Sequence, residues 1–374
     1  GDRDPLDAYG NTTDLNWMAG SQYVYSFGKC IFMPSDLTAG IEFNQDKLED
    51  NMWGYNRTVD QKVNIGSAFF QNEWKNEHWG FLIGGRLDKH NLIDHVIFSP
   101  RANLRYNPTE NINLRFSYSS GFRAPQAFDE DLHVENVGGN VAMVELADNL
   151  KEERSQSLSA SADIYHRFGA FQVNFLVEGF YTKLSDVFAL TDGEVVDGIL
   201  TRTRYNAPGA RVMGLTLEGK MAYLTKFQVQ AGVTLQQSHY SEPHVWNKEA
   251  PAVKKMMRTP NTYGYFTATY TPIKPLSIAL SGTYTGSMLV PHEPVPGFLE
   301  KPITVNTKDF FDIGLKAAYD FKLYKSMNLQ VNAGVQNIFN AYQNDFDKGA
   351  DRDSGYIYGP SLPRSFFAGV KISY

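Results

Sequence analysis

The sequence lacks most of the features that mark soluble enzymes and helical membrane proteins. A single cysteine, Cys30, excludes an internal disulfide. No run of 18 apolar residues is present, so no transmembrane helix is predicted. There is no phosphate-binding loop, no His-Glu-x-x-His motif and no cysteine cluster, and we expect that the chain is not an enzyme. The net charge of −6 argues against a nucleic-acid partner.

Aromatic residues, by contrast, are abundant, and apolar residues alternate with polar ones. The chain has 21 Tyr and 25 Phe, which suits two aromatic girdles at the membrane–water interfaces. In residues 363–374 one face carries Phe, Ala, Val, Ile and Tyr, whereas the other face is mostly polar, because side chains alternate across a strand. Residues 227–236 alternate in the same way. This pattern predicts strands with lipid on one side and water on the other.

The connections between the predicted strands alternate between short and long. Short connections carry turn residues, as in Asn107-Pro108 and Phe168-Gly169, and the long ones are rich in Asp, Glu, Gly, Pro and His. Tight turns on one rim and long loops on the other are typical of a membrane β-barrel. The fifteen predicted strands lie near residues 15–28, 36–48, 62–75, 77–88, 95–107, 111–120, 155–168, 170–190, 202–223, 226–241, 260–271, 275–286, 308–321, 326–339 and 363–374.

The same alternation predicts the direction of the chain. We expect the last strand to end at the periplasmic side, with the short turns in the periplasm and the long loops outside the cell. Residues 1–14 then lie outside the cell. A complete barrel normally begins in the periplasm and has an even number of strands, so fifteen strands predict that an odd number of strands is missing. No signal peptide is recognised at Gly1, and we expect that it has been removed or that the polypeptide is longer.

A series of short motifs in residues 60–374 resembles TonB-dependent outer-membrane receptors. The most recognisable motif is Gly121-Phe-Arg-Ala-Pro125. Asn149–Ser155 resembles the family's Asn-Leu-Lys-Pro-Glu-Lys/Arg-Ser motif, with Glu152 where proline is usual. The segments 65–87, 99–106, 206–219 and 335–340 and the aromatic C-terminus follow in the family's order, and the loops resemble those of Bacteroidetes receptors.

The resemblance implies an all-β fold, an antiparallel transmembrane β-barrel. Residues 1–374 are then about 15 C-terminal strands of an expected 22-stranded barrel. The N-terminal plug domain and the first strands lie outside this chain, and we expect the same gene or a separate chain to supply them, because open strand edges are untenable in lipid. The other implied partners are the TonB-ExbB-ExbD complex, outer-membrane lipid and lipopolysaccharide, and a surface lipoprotein. The implied location is the outer membrane of a Gram-negative cell.

The implied function is TonB-dependent active uptake of a scarce nutrient, an iron chelate (siderophore) or haem. Cobalamin, glycans and peptides are alternative cargoes of the same family. A passive porin is a second hypothesis, and a soluble or surface β-protein for adhesion is a third. Inward-facing charges such as Arg86 and Glu218 are interpreted as a polar wall that holds the plug, and no resident cofactor is implied.

Candidate cargo-binding residues lie in the long loops, because structureless loops of this length usually carry function. Histidine and methionine are soft ligands for haem iron or copper, aromatic rings stack on a porphyrin or a catecholate, and basic residues attract an anionic ferric chelate. The alternatives are a structural role at the rim for Arg123 and solvated or loop-packing roles for the others. The candidates are Arg123, His133, His239, Tyr240, His244, Trp246, Met256, Met257, Arg258 and His292.

The acidic loop 345–353 is a candidate calcium site. Its carboxylates occur at alternate or near-alternate positions around a glycine, a spacing that can wrap a hard cation. The segment lacks the distal Glu of an EF-hand, and Lys348 and Arg352 neutralise part of its charge, so a solvated acidic loop is the alternative interpretation. The candidate ligands are Asp345, Asp347, Asp351 and Asp353.

Overall fold

The computed structural model describes residues 10–53, 57–125, 141–191, 194–196, 199–324, 326–349, 352–353 and 355–374. Within these ranges the chain is all-β, as predicted, with 22 strands. No helix among the described residues is long and apolar enough to cross a membrane. The strands are β1 (Gly10–Cys30), β2 (Met33–Met52), β3 (Arg57–Lys75), β4 (Trp79–His90), β5 (Val96–Thr109), β6 (Ile112–Arg123), β7 (Val141–Leu146), β8 (Glu153–Phe168), β9 (Phe171–Ser185), β10 (Val187–Leu190), β11 (Glu194–Val196), β12 (Ile199–Ala207), β13 (Ala210–Tyr223), β14 (Phe227–His244), β15 (Val253–Lys255), β16 (Thr262–Ile273), β17 (Leu276–Thr285), β18 (Leu289–His292), β19 (Ile303–Asn306), β20 (Phe310–Tyr324), β21 (Met327–Gln336) and β22 (Ser365–Ser373).

One antiparallel sheet contains fifteen strands that pair in chain order, which confirms the fifteen predicted strands. Its order is β1-β2-β3-β4-β5-β6-β8-β9-β13-β14-β16-β17-β20-β21-β22, with β15 paired to β14. The pairing is long and regular: all of Ala210–Tyr223 on β13 pairs with Phe227–Tyr240 on β14. Strands β1 and β22 are the two edges, and no pairing between them closes the sheet among the described residues.

Two of the predicted strands are each divided in two. The predicted strand 170–190 is β9 followed by β10, and Asp186 between them has a φ of 55°, which a strand does not accommodate. The predicted strand 202–223 is β12 followed by β13. Pro208 separates them because it has no N–H to donate, and Gly209 follows, where an added Cβ would lie 2.0 Å from a carbonyl oxygen of β9.

The long connections also form small sheets of their own. β10, β12 and β11 form one sheet with β7, which pairs parallel to β12, and β18 and β19 form a hairpin. The sequence pattern did not predict β7, β11, β18 and β19. These four strands are between three and six residues long. So few residues give too few alternations for hydrophobic periodicity to show.

The two faces of the large sheet differ in chemistry, as the alternation predicts. Val331 of β21 pairs with Val370 of β22, and the two side chains are 42% and 68% exposed. On the other face, Gln330 donates a 2.8 Å hydrogen bond to Asp320. One apolar exposed face and one hydrogen-bonded polar face are the two faces that the wall of a membrane β-barrel requires.

A buried hydrophobic cluster among the described residues lies at one end of this wall. Val290, Phe310, Tyr356 and Tyr358 pack together where β18, the start of β20 and the connection before β22 meet. Their exposure is 8% or less. The long connections are therefore packed on each other and present a structured rim.

Candidate functional site

A cavity of about 640 Å³ lies among the long connections at this rim. A volume of a few hundred Å³ is usual for a small-molecule site. Four arginines and four aromatic residues line it, with Glu242 as the single carboxylate among the lining residues. These eight residues are Arg123, Arg202, Arg204, Arg258, Phe188, Tyr205, Tyr240 and Trp246.

Phe188 of β10 contacts two guanidinium groups on one side of the cavity. The Arg123 Cζ lies 5.4 Å and the Arg204 Cζ 5.6 Å from the centroid of its ring. Arg123, at the end of β6, also lies 3.8 Å from the carboxylate of Glu153 on β8. Cation–π contacts at these distances are favourable. These contacts hold the guanidinium groups of Arg123 and Arg204 on the ring of Phe188, in a cavity whose lining includes one carboxylate, Glu242.

The end of β14 and the following residues supply a second side of the cavity. The rings of Tyr240 and His244 lie 4.8 Å apart, tilted by 35°. The indole Nε1 of Trp246 is buried and has no hydrogen-bond partner in the described part of the chain. Because a buried N–H without a partner is costly, this indole is a donor that a ligand oxygen can satisfy.

Arg258 joins two of the long connections while it lines the cavity. Its guanidinium donates to the carbonyl oxygen of Ile357 at 3.0 Å and to that of Gly355. Its backbone N–H donates to the carbonyl oxygen of Leu289 at 2.7 Å. The side chain therefore positions the loops and also adds positive charge to the cavity.

The cavity brings together six of the ten residues that the sequence proposed: Arg123, Tyr240, His244, Trp246, Met256 and Arg258. His239 lies on the opposite face of β14 from Tyr240, because consecutive residues of a strand alternate. Met257 is not among the lining residues. His133 lies outside the described residues.

His292 lies away from the cavity and is part of the loop packing. Its side chain is 5% exposed, and its ring stacks on Tyr356 with the centroids 3.8 Å apart and the planes within 3°. Its Nε2 lies 2.8 Å from a carboxylate oxygen of Asp347. These contacts hold β18 against the connection before β22.

Asp345 accepts hydrogen bonds from two tyrosine hydroxyls, at 2.9 Å from Tyr356 and at 2.6 Å from Tyr358. Burial disfavours the charge of Asp345, but the hydrogen bonds from Tyr358 and Tyr356 outweigh it and lower the pKa of the carboxyl group. Burial and the bond to Asp345 raise the pKa of Tyr356 to about 12, and they also raise the pKa of Tyr358. Both hydroxyls therefore stay protonated and donate at neutral pH.

The other described carboxylates of the proposed calcium loop also accept protein hydrogen bonds. Asp347 accepts from the backbone N–H of Asp353 at 3.2 Å, and Asp353 accepts from the N–H of Glu293 at 2.8 Å. Asp351 lies outside the described residues. No group of three or more potential metal ligands occurs in the part of the chain that the structure describes, so the calcium site stays a prediction.

Glu152, the residue that stands where the resembled motif has proline, joins two other connections. It is 4% exposed, accepts from Arg154 Nε at 2.8 Å and lies 3.1 Å from His95 Nε2. The carboxylates of Asp94 and Glu152 accept hydrogen bonds from the His95 ring, and these bonds raise the pKa of His95. Burial disfavours the charge of Glu152, but the bonds from Arg154 and His95 outweigh it and lower its pKa. A proline could make none of these side-chain contacts.

The sequence pattern missed two of the four arginines and two of the four aromatic residues that line the cavity: Arg202, Arg204, Phe188 and Tyr205. They lie in segments that alternation assigned to the barrel wall. The breaks at Asp186 and Pro208 instead place them in the small sheet of the rim. The signal that could have found the two arginines is their spacing, two apart on one face of a short strand that ends just before a Pro-Gly pair.

Comparisons with known proteins agree with this architecture. The family model "TonB dependent receptor-like, beta-barrel" matches residues 2–338. No curated protein sequence matches the chain.

Solved structures match over nearly the whole chain at low sequence identity. The ferric enterobactin receptor PfeA of Pseudomonas aeruginosa is 17% identical with a TM-score of 0.69, and the match covers 97% of this chain and 54% of that one. The siderophore receptor PirA of the same species is 15% identical with a TM-score of 0.68, covering 98% and 58%. The ferric-catecholate import receptor Fiu of Escherichia coli is 16% identical with a TM-score of 0.69, covering 96% and 55%. The chain thus spans little more than half the length of these receptors, and it belongs to the family of TonB-dependent receptor-like β-barrels.

Proposed function

We propose that this chain forms the barrel of an outer-membrane receptor that takes up an anionic ferric chelate of the siderophore class. The observation that carries the proposal is the rim cavity, in which four guanidinium groups and four aromatic rings share one space with a single carboxylate. Arginine binds anionic oxygens through a planar fork of N–H donors and also stacks on aromatic faces. The lining therefore favours a ligand that is both anionic and aromatic.

A ferric catecholate has this chemistry. Its iron is held by the oxygen anions of aromatic rings, and a complex of three catecholates with Fe³⁺ carries net negative charge. Tyr205 and Trp246 offer faces for stacking, and Arg202 and Arg204 offer charge. The names of the similar receptors, which refer to ferric enterobactin and ferric catecholates, point in the same direction.

Haem is the second candidate cargo, and one observation favours it. His244 and Met256, two residue types that ligate haem iron, line the same cavity as Tyr240 and Trp246, which can stack on a porphyrin. The four arginines would then pair with the propionate groups. The two cargoes require different residues of the cavity, which makes them separable by mutation.

The energy source and the remaining partners are proposed from the family. We propose a plug domain inside the barrel, the TonB-ExbB-ExbD complex as the driver, and the outer membrane as the location. A passive porin is the alternative, and it would conduct without an energised inner membrane. Uptake of the chelate that a protonophore abolishes would support the TonB-driven transporter, and uptake that continues unchanged would support the porin.

The cargo is tested by growth under iron limitation of a strain that lacks the full-length gene. The strain carries either the wild-type gene, Arg202→Gln or His244→Ala, and receives a ferric catecholate, haem or a neutral ferric hydroxamate as the single iron source. We expect the wild type to restore growth on the ferric catecholate and Arg202→Gln to lose it. Lys226→Gln, which removes one positive charge at a short turn, is the matched control and should grow as the wild type does.

Two outcomes overturn the ferric catecholate. If the wild type restores growth on haem alone, and His244→Ala rather than Arg202→Gln abolishes it, the cargo is haem. If no iron source depends on the gene, the cargo is a different nutrient, and cobalamin, glycans and peptides are tested next.

A further inference from the structure

One aromatic ring joins the barrel wall to the small rim sheet at the cavity. The ring is that of Phe188 in β10, and the residue is half-buried. Arg123 approaches the ring from the end of β6, in the wall, with its Cζ 5.4 Å from the centroid. Arg204 approaches it from β12, in the small sheet, with its Cζ at 5.6 Å. The ring and both guanidinium groups line the cavity together.

The shared ring limits how far apart the two guanidinium groups can lie. The Cζ atoms of Arg123 and Arg204 are both within 5.6 Å of the same centroid, so they are separated by at most twice that distance. Like charges this close repel each other, and they do so more strongly where burial lowers the effective dielectric constant. Arg204 is 4% exposed. The ring of Phe188 offsets part of this repulsion, because the face of a π-system attracts cations.

Hydrogen bonds of one amide side chain fix the place of Phe188. The residue lies directly opposite Asn206 in the pairing of β10 with β12. The Asn206 Nδ2 donates to the carbonyl oxygen of Asp186 at 2.8 Å and to that of Lys151 at 3.0 Å, and the Oδ1 accepts from the N–H of Lys151 at 2.8 Å. Asn206 therefore connects β12 to the residue before β10 and to the connection before β8.

The backbone of Arg204 is held from both sides. It pairs with Leu190 of β10 and with Leu146 of β7, and its carbonyl oxygen accepts from the N–H of Ala147 at 3.0 Å. Phe188 and Arg204 are diagonal neighbours on one face of the β10–β12 pair, a spacing within reach of aromatic and long side chains. The strands therefore place the two residues, and the ring directs the guanidinium group.

We propose that Phe188 is the positioning residue that makes the cavity select chelates with several negative charges. It holds Arg123 and Arg204 as a pair, so that two planar forks of N–H donors serve one ligand. A chelate whose anionic oxygens surround the metal can contact both forks, whereas a neutral chelate gains little from them. This role rests on the proposed uptake of an anionic ferric chelate.

Equilibrium binding to the purified full-length receptor tests the role of the ring, with a ferric tris-catecholate and a neutral ferric hydroxamate as ligands. Phe188→Leu keeps an apolar side chain in β10 but removes both cation–π contacts. We expect it to weaken catecholate binding roughly fivefold and to leave hydroxamate binding unchanged. Phe188→Tyr keeps the ring and should bind both ligands as the wild type does. Equal weakening for both ligands, or in both variants, would overturn the proposal, because it is the result that a role in packing alone predicts.

Phe175→Leu is the matched control, because it removes a ring from the apolar face of β9. Phe175 is 47% exposed and is not among the lining residues of the cavity. We expect this variant to bind the catecholate as the wild type does. If Phe188→Leu does not migrate as a folded barrel on unheated gels, Phe188→Met, which also lacks the ring, should show the same loss of roughly fivefold.

A double-mutant cycle separates positioning from direct contact with the ligand. In a receptor that carries Arg123→Gln/Arg204→Gln, the groups that the ring positions are absent. We expect Phe188→Leu to change the catecholate affinity of this receptor by less than about twofold. A loss of roughly fivefold that persists in this background would overturn the proposal and identify the ring as a surface on which the ligand stacks.

The wild-type receptor decides the proposed function separately. Equal affinity of the wild type for the two chelates would contradict the uptake of an anionic chelate and the role of Phe188 together. A preference of the wild type for the catecholate that Phe188→Leu retains in full would overturn the role of Phe188 alone and leave the proposed function standing.

Discussion

The barrel wall and the long-loop rim are stabilised in different ways. In the wall, each strand pairs with its neighbours over most of its length, as β13 does with β14, and the apolar side chains face outward. In the rim, individual side chains connect the segments, and four residues form a small buried cluster. Val370 of the wall is 68% exposed, whereas Tyr356 of the rim is 3% exposed. The wall therefore needs lipid to cover it, and the rim packs as a small water-soluble domain does.

The difference separates the part that fixes the fold from the part that selects the ligand. The wall repeats one pattern and accepts many sequences, since any apolar residue can face lipid. The cavity instead depends on single residues such as Arg204, Trp246 and Arg258, which different loops bring together. A change in the wall should alter assembly, and a change in the rim should alter binding.

We expect the largest loss of stability from a charge placed on the apolar face of the wall. Val331→Lys places a charge at the middle of β21 on the lipid side, and we expect it to destabilise the folded barrel by about 2–4 kcal/mol, the cost of a lysine near the bilayer midplane. Asn332→Lys, one residue further on, points to the polar face and should cost close to nothing. Urea unfolding of the full-length receptor in lipid vesicles measures both. Equal destabilisation would show that the two faces do not differ as described.

We expect a smaller loss of stability, confined to the rim, from a substitution that removes hydrogen bonds between the long connections. Asp345→Ala leaves the hydroxyls of Tyr356 and Tyr358 without their acceptor, at a cost of about 1–3 kcal/mol. Hydrogen exchange should rise in residues 340–349 and 355–362 and stay unchanged in 327–336. Glu300→Ala, at an exposed position, is the control and should change neither. Faster exchange throughout the wall would contradict the separation of the two regions.

A smaller effect is expected where the two roles of Arg258 are separated. Arg258→Lys keeps the positive charge in the cavity but loses the planar fork that donates to Ile357 and Gly355. We expect a local loss of about 1 kcal/mol, seen as faster exchange in residues 355–358, with ligand affinity reduced less than in Arg258→Ala. If the two variants bind equally weakly, the geometry of the fork and not the charge matters for the ligand.

The smallest effect depends on pH and concerns the contact of His95 with Glu152. Because the pKa of His95 is raised in the folded protein, the stabilisation that its protonated ring contributes is complete below about pH 6.5. This stabilisation is lost as the pH rises through the raised pKa. Because the pKa of Glu152 is lowered in the folded protein, the stabilisation that its ionised carboxylate contributes is complete above about pH 4.5. This stabilisation is lost as the pH falls through the lowered pKa. The contact is therefore strongest between about pH 4.5 and 6.5.

We expect amide exchange in residues 91–95, corrected for its intrinsic pH dependence, to be slower at pH 6 than at pH 9. His95→Gln should remove this difference. A difference that persists in His95→Gln would assign it to another group.

The wall could be predicted from the sequence and most of the rim could not, for a physical reason. The alternation of apolar and polar residues shows only which face of a long regular strand is apolar. It is sufficient to predict β21 and β22. The cavity depends on contacts between segments far apart in the chain, such as Arg123 with Phe188, which no local pattern records. Residue chemistry alone selected Tyr240, His244 and Trp246, which the structure brings together in one cavity, and also His292, which packs on Tyr356.

Equilibrium binding to the purified full-length receptor shows whether the rim cavity binds an anionic aromatic chelate. A ferric catecholate and a neutral ferric hydroxamate are titrated against the wild type and against Arg202→Gln. We expect the catecholate to bind at least tenfold more tightly than the hydroxamate, and we expect Arg202→Gln to remove most of this preference while Lys226→Gln preserves it. Equal affinity of the wild type for the two chelates, or an unchanged preference in Arg202→Gln, would contradict the proposed binding.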